Sequence, residues 1–155
     1  PSLPMFLVMP WMMKKGISFP ASLSMGIVLT GILYFLILKR SKQVGSFQGY
    51  WSCISGYLEA GEDPEETAYR EVFEETRLPK SAILKATYAG PFYPEASNVI
   101  FETHWFLFET DSTEITLDWE HDQCRWILPE DFSNYQVVPW LPTLTAHLIE
   151  KRSST

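Results

Sequence analysis

Three glutamates in one acidic stretch are the residues best suited to chemistry. Glu71, Glu74 and Glu75 stand at positions i, i+3 and i+4, which would place their carboxylates on one face of a helix. Three like charges repel there, so the cluster calls for a strongly positive partner. Carboxylate oxygens suit hard divalent cations, typically Mg²⁺ shared with substrate phosphate oxygens. The spacing indicates Mg²⁺, with Mn²⁺ as the second choice; a solvated acidic face paired with Lys and Arg is the plain alternative.

The helix that would carry these carboxylates has readable ends. Asp63 can cap its first turn, and Pro64 suits the first helical position. The helix should end near Arg77, because Leu78 precedes Pro79 and a residue before proline is biased away from helical geometry.

Other elements follow from apolar, β-branched and aromatic content. We expect a mixed sheet and a second helix around 139–151, where leucines recur at helical spacing. The expected strands are 25–30, 33–39, 51–55, part of 82–93, 98–109 and 125–128.

The uncharged run 21–38 also meets the lower length limit for a membrane-spanning helix. Glycines at 26 and 31 and the β-branched content favour two buried strands that meet at Gly31. Residues 1–15 place apolar residues before lysines, the reverse of a signal peptide. We therefore predict a cytoplasmic protein without membrane attachment.

Length and charge narrow the class of protein. A chain of 155 residues with 46% apolar content fits one domain, predicted at 21–155, preceded by an apolar arm at 1–20. The arm must bury against its own domain or a second subunit, which keeps a homodimer among the predictions. The net charge of −7 argues against duplex nucleic acid as a partner. Cys53 and Cys124 lack metal-site spacing and are expected to be buried thiols.

The acidic helix belongs to a longer pattern that begins at a glycine. A glycine at position 56 would let a backbone carbonyl approach an ion without a Cβ in the way. The segment reads G56-x5-E62-x7-R70-E71-V72-x-E74-E75-x-R77-L78. It resembles the Nudix box, G-x5-E-x7-R-E-U-x-E-E-x-G-U with U aliphatic, at every defined position except Arg77, where the family has glycine. The flanking ILYFLILKRS, THWFLFET and EHDQCRWILPEDF stretches are similar to Nudix strands as well.

This resemblance implies an α/β fold, an α/β/α sandwich around a mixed β-sheet. It implies hydrolysis of a diphosphate linkage in a nucleotide-type substrate by water attack on phosphorus. Glu71, Glu74 and Glu75 would be metal ligands, directly or through water, with the carbonyl of Gly56 as a further ligand. Arg70 would orient the glutamates, with Glu62 as its partner or as an auxiliary base. Arg77 implies an adjusted helix terminus, with activity retained.

Further roles stay open at this stage. Glu74, Glu75 and Glu120 are the candidates for the general base. The substrate contacts expected from aromatic and basic content are Arg40, Lys42, Tyr57 and Tyr93, and the resemblance adds His121, from the family's Glu-His pair downstream of the box. A weaker similarity points to dATP or dihydroneopterin triphosphate pyrophosphatases. The alternative function is a catalytically silent nucleotide-binding module, which would usually lack a box glutamate; none is missing here.

Overall fold

A mixed sheet lies between two helices in the computed structural model, which describes residues 21–96 and 98–154. The predicted arm at 1–20 falls outside the described residues. Short 3₁₀ turns occupy Lys80–Ala82 and Pro129–Asn134. The main elements are β1 (Ala21–Leu29), β2 (Phe35–Arg40), β3 (Trp51–Ser52), β4 (Ile54–Leu58), α1 (Pro64–Thr76), β5 (Ile83–Phe92), β6 (Glu95–Ala96), β7 (Val99–Ile100), β8 (Glu102–Thr110), β9 (His121–Ile127) and α2 (Leu141–Ser153).

The sheet is mixed, as predicted, with the order β3-β2-β1-β8-β5. Strands β1 and β8 run parallel, and the remaining pairs are antiparallel. β1 meets β2 only at Val28 and Phe35, so the two strands diverge. The segment 51–58 pairs with β2 through β3 and with β1 through β4. This divergence brings the Gly56 region against the first half of β1.

The run 21–38 forms strands, which settles the choice left open by its length. β1 and the start of β2 occupy it, and Gly31 adopts a φ of 96° in the turn between them. Gly31 suits that turn because residues with a Cβ rarely adopt this conformation. No helix among residues 21–96 and 98–154 is long and apolar enough to cross a membrane.

Each face of the sheet packs against one helix, which confirms the α/β/α sandwich. On the first face, Leu23, Met25 and Ile54 form a core with Ala68 and Val72 of α1. On the second face, buried strand residues meet the leucines of α2. Full burial of each such aliphatic side chain contributes about 1.5–3 kcal/mol. The members of the second core are Val28, Phe35, Ile37, Trp51, Cys53, Ala89, Leu107, Ile127, Phe132, Val138, Leu141, Leu144 and Leu148.

Two strands near the predicted site extend further than the sequence indicated. β4 continues to Leu58, so Gly56 lies inside a strand and not at its end. It continues because Ala21 and Ser22 of β1 provide partners for Leu58 and Tyr57. β9 likewise begins at 121 because β2 pairs with it as far as Arg40. Local composition could not reveal these partners.

The two cysteines differ in burial. Cys53 is 1% exposed, and burial raises the pKa of its thiol to about 12. Cys124 is only partly buried, so the expectation of two buried thiols holds for Cys53 alone.

The ends of α1 explain how the chain tolerates Arg77. Asp63 caps the helix as predicted, since its carboxylate accepts from the backbone N–H of Glu66 at 3.0 Å. At the other end Arg77 itself adopts the left-handed conformation, with φ 63° and ψ 13°. Its guanidinium lies over the Phe73 ring, 5.4 Å from the centroid. The expectation of an adjusted terminus is therefore wrong: the terminus is the one a glycine would form.

We expect Arg77→Gly to raise the free energy of unfolding by about 1 kcal/mol, because the left-handed conformation is strained for a residue with a Cβ and not for glycine. Arg77→Ala is the control: it keeps a Cβ and loses the contact with Phe73, so it should not stabilise. Thermal denaturation of the two variants measures the difference. An equal or lower melting temperature for Arg77→Gly would show that the Phe73 contact outweighs the backbone cost.

Candidate active site

Gly56 and Glu71 are in close contact at the centre of the predicted box. A Cβ built at position 56 would lie 2.8 Å from Cδ of Glu71 and 3.1 Å from its Oε1. Real Cβ atoms essentially never lie that close to another atom, so any larger residue at position 56 would force the Glu71 carboxylate to shift. The contact holds the Glu71 carboxyl against the backbone of β4, where the Gly56 carbonyl was predicted to contribute a metal ligand.

Glu75 lies deeper than Glu71 and is the most unusual acid in the site. It is 2% exposed, and its Oε2 is buried without a hydrogen-bond partner. Burial, followed by the charges of Glu120, Asp118 and Glu71, raises its pKa to about 10. Burial and Glu74 raise the pKa of Glu71 in the same way. The two carboxyls thus form a desolvated acidic pair that attracts a cation.

Arg70 binds the outer acids of the box. Its Nη1 lies 2.7 Å from Oε2 of Glu62, and its other nitrogens lie 3.9 Å from Glu71 and 3.8 Å from Glu74. Glu62 also accepts from the backbone N–H of Glu59 at 2.8 Å, and these bonds lower its pKa. Glu62 is therefore the partner of Arg70, as the box suggested.

Glu74 does not join the other two carboxylates. Its side chain is 54% exposed and is oriented towards Arg70. Within the described ranges 21–96 and 98–154, no three acidic, histidine or cysteine side chains converge into an ion cage. The predicted ligand set is thus assembled only in part, with Glu71 and Glu75 together and Glu74 beside them.

A loop before β9 brings further acids against Glu75. Glu120 is half-buried, and burial and the neighbouring Asp118 raise its pKa. The loop is attached to the end of β2, because Ser41 N–H donates to the Glu120 carbonyl at 2.8 Å. Arg40 lies close enough to oppose the rise in the Glu120 pKa.

Sequence reasoning missed Asp118 in this loop. Its Oδ1 accepts from the backbone N–H of Glu120 at 3.1 Å and lies 3.4 Å from Nδ1 of His121. The available signal was an aspartate two residues before Glu120, a spacing typical of an Asx-turn.

The residues predicted to contact substrate are spread over different places. Arg40 is at the site and donates from Nε to the Ser46 carbonyl at 3.0 Å. Lys42 is exposed in the loop that follows. Tyr57 is 73% exposed next to Gly56, but it faces the other side of β4. Tyr93 lies near Tyr88 and Glu102, neither of which belongs to the predicted site.

His121 is buried among acids and not presented to a substrate. Its side chain is 2% exposed, and Nδ1 lies 3.7 Å from Oε1 of Glu75. This placement corrects the predicted substrate contact, because a ring covered in this way has no face left for a ligand.

A groove beside the first turn of α1 contains none of the predicted site residues. Tyr88, one of its lining residues, hydrogen-bonds to Nδ1 of His104 at 2.7 Å, and Nε2 of His104 lies 3.0 Å from Glu102. These two contacts give both ring nitrogens of the buried His104 a hydrogen-bond partner, so His104 has a structural role. The groove is lined by Asp63, Pro64, Glu65, Ala86, Tyr88 and Phe106.

The carboxylate cluster fits a divalent cation by three structural features. Glu75 has a buried oxygen with no partner, a glycine leaves room beneath Glu71, and the available donors are hard oxygens. The partial assembly also agrees with Mg²⁺ chemistry, since this ion commonly takes one or two carboxylates and leaves the remaining positions to water and phosphate.

We predict that the metal-free protein loses stability as the pH rises. Burial raises the pKa of Glu75 from its ordinary value of 4.5 to about 10 in the folded state, so its contribution to stability is complete below pH 4.5 and is lost as the pH rises towards 10. The slope has an upper limit of about 1.4 kcal/mol per pH unit. Melting temperatures between pH 5 and 9 in EDTA measure it.

Added Mg²⁺ should remove most of that decline, because a bound cation stabilises the ionised form of Glu75. A melting temperature in EDTA that does not fall with pH would contradict the burial of an acidic Glu75.

Comparisons with known proteins agree with this geometry. The sequence profile described as NUDIX domain matches residues 22–148. A nucleoside triphosphatase NudI from Klebsiella pneumoniae is 29% identical over 116 residues, which cover 67% of this chain and 79% of that protein. A dihydroneopterin triphosphate diphosphatase from Haemophilus influenzae is 31% identical over 90 residues, which cover 50% of this chain and 57% of that protein.

Solved structures share the fold at lower identity. A Nudix hydrolase from M. smegmatis superposes with a TM-score of 0.70 at 16% identity, covering 88% of this chain and 86% of that chain. A C. elegans Ap4A hydrolase superposes with a TM-score of 0.64 at 21% identity, covering 90% and 100%. The chain belongs to the Nudix family, which confirms the predicted Nudix fold and a Nudix-type pyrophosphohydrolase.

Proposed function

We propose that the protein hydrolyses a nucleoside triphosphate or a related triphosphate to a monophosphate and pyrophosphate, with Mg²⁺ held by Glu71 and Glu75. The observation that carries this proposal is the buried, unpartnered Oε2 of Glu75 beside Glu71 and Glu120. Keeping such a carboxylate without a cation costs free energy, since burial disfavours the ionised form. A cation delivered with the substrate phosphates removes that cost.

The box residues have distinct roles in this proposal. Glu71 and Glu75 would hold the cation together with the Gly56 carbonyl, and the exposed Glu74, whose carboxylate lies 3.8 Å from Arg70, would be available as a further ligand. Arg70 holds Glu62 against the face of α1 through the 2.7 Å ion pair between its Nη1 and Oε2 of Glu62. A divalent cation here would lower the pKa of a water molecule and stabilise charge on the phosphate oxygens.

Glu120 is our choice for the group that accepts the proton from the attacking water. It is only half-buried, and burial and the neighbouring Asp118 raise its pKa, which makes it a stronger base than an ordinary carboxylate. Glu75 is less suitable, because a carboxylate whose oxygen coordinates a cation is a weaker base. Arg40, whose positive charge acts on Glu120, is our candidate for a phosphate contact.

How the protein recognises the nucleobase of its substrate stays a prediction. Tyr57 and Lys42 are exposed and available to a substrate that extends past β4. The names of two relatives, a nucleoside triphosphatase and a dihydroneopterin triphosphate diphosphatase, motivate the triphosphate class. A cytoplasmic location and a homodimer likewise remain predictions.

A panel of substrates tests the proposal. Canonical and oxidised nucleoside triphosphates, dinucleoside polyphosphates, ADP-ribose and dihydroneopterin triphosphate would each be incubated with Mg²⁺ or with EDTA, and the products separated by ion-exchange chromatography. We expect monophosphate and pyrophosphate from a triphosphate in Mg²⁺ and no product in EDTA. Binding without turnover of any substrate would favour the catalytically silent module instead.

A further inference from the structure

Asp118 contacts two different parts of the site through a single oxygen. Its Oδ1 accepts from the backbone N–H of Glu120 at 3.1 Å and lies 3.4 Å from Nδ1 of His121. The His121 backbone N–H also approaches the Asp118 carbonyl at 3.4 Å. The aspartate therefore shapes the turn that carries Glu120 and, at the same time, faces the His121 ring.

His121 extends this contact to the deepest acid. The same Nδ1 that faces Asp118 lies 3.7 Å from Oε1 of Glu75. The His121 and Glu75 side chains are 2% and 3% exposed, so little water reaches the contact. In the tautomer that carries its proton on Nδ1, His121 would direct that proton towards Asp118 Oδ1 and Glu75 Oε1. The His121 ring lies on the Oε1 side of Glu75, and Oε2 is the oxygen without a hydrogen-bond partner.

We infer that Asp118 is a positioning residue for the metal site, acting on Glu75 through His121 and on Glu120 through the backbone. Outer-shell partners that orient metal ligands typically change metal affinity or activity by about 10- to 100-fold when removed. The inference rests on the proposed function, because it assumes that Glu75 binds the cation.

Three variants separate this role from a purely structural one. Asp118→Ala removes the acceptor, whereas Asp118→Asn keeps an oxygen that can still accept from Glu120 and His121. Asp111→Ala is the matched control, an exposed aspartate just after β8. Binding of Mn²⁺ alone to the substrate-free protein, followed by electron paramagnetic resonance of the free ion, gives a readout that does not depend on activity.

We expect Asp118→Ala to weaken Mn²⁺ binding by about 10- to 100-fold. Asp118→Asn should restore most of the affinity, and Asp111→Ala should leave it unchanged. In turnover, Asp118→Ala should lower kcat with little change in KM. Wild-type affinity in Asp118→Ala, or no difference between the alanine and asparagine variants, would overturn the inference.

Two further measurements keep the test decisive if Asp118→Ala destabilises the loop. His121→Gln should weaken Mn²⁺ binding similarly, and the double variant should not be additive because both residues act through one contact. Long-range ¹H–¹⁵N spectra should place the His121 proton on Nδ1 in the wild type. Additive losses, or a proton on Nε2, would contradict the action of Asp118 on Glu75 through His121.

Glu75→Gln distinguishes the failure of this inference from the failure of the proposed function. If Glu75→Gln abolishes Mn²⁺ binding and Asp118→Ala does not affect it, the proposed metal site is supported and the positioning role of Asp118 is wrong. If Glu75→Gln binds Mn²⁺ as the wild type does, the proposed metal site itself is wrong, and so is the positioning role of Asp118.

Discussion

Glu75→Gln should lower kcat by about three orders of magnitude, because several kcal/mol of transition-state stabilisation depend on the cation that this carboxylate holds. The substitution preserves shape and removes only the ability to ionise. Steady-state kinetics at saturating Mg²⁺ measure the loss. Glu66→Gln is the matched control, an exposed glutamate in the first turn of the same helix, and it should retain wild-type kcat.

The same variant should change the pH dependence of stability. Without an ionisable group at position 75, the largest cause of the decline in EDTA disappears, and the melting temperature should vary less between pH 5 and 9. Wild-type activity together with a flattened pH profile would mean that the buried acid is structural and that catalysis occurs elsewhere.

Gly56→Ala should reduce activity by about 100-fold or more, the second large effect. The new Cβ would lie 2.8 Å from Cδ of Glu71, so that carboxylate must move by a substantial fraction of an ångström. A displacement of about 1 Å in a catalytic geometry can cost about 100-fold in rate. Measurement of kcat and of Mn²⁺ affinity should show that both fall.

Gly45→Ala is the control for this glycine. A Cβ there meets no atom within 4 Å, so folding and turnover should be unchanged. If Gly56→Ala turned over substrate at the wild-type rate, the close contact between β4 and Glu71 would have no catalytic significance.

The sequence predicted the local features of the site accurately and the long-range ones less well. The helix with its Asp63 cap, and the pairing of Arg70 with Glu62, depend on residues close together in the chain. The extension of β4 beyond Gly56 depends on β1, which is distant in sequence. Arg77 was misjudged because the backbone cost of its conformation is small enough for the rest of the fold to impose it.

Burial is the quantity that the pattern of carboxylates could not reveal. Spacing alone treats Glu71, Glu74 and Glu75 as equivalent, yet the third is 2% exposed and the side chain of the second is 54% exposed. The difference arises because β9 and its preceding loop cover one end of the helix face. The same loop carries Asp118 and buries His121, so neither role could be assigned before the strands were in place.

The most direct test of the central claim is ³¹P nuclear magnetic resonance of a nucleoside triphosphate incubated with the protein in H₂¹⁸O. The carboxylate site at Glu71 and Glu75 predicts ¹⁸O in one phosphate product, monophosphate and pyrophosphate in equal amounts, and no reaction when EDTA replaces Mg²⁺. Product formation that is unaffected by EDTA, or incorporation of ¹⁸O at a position other than phosphorus, would contradict the account.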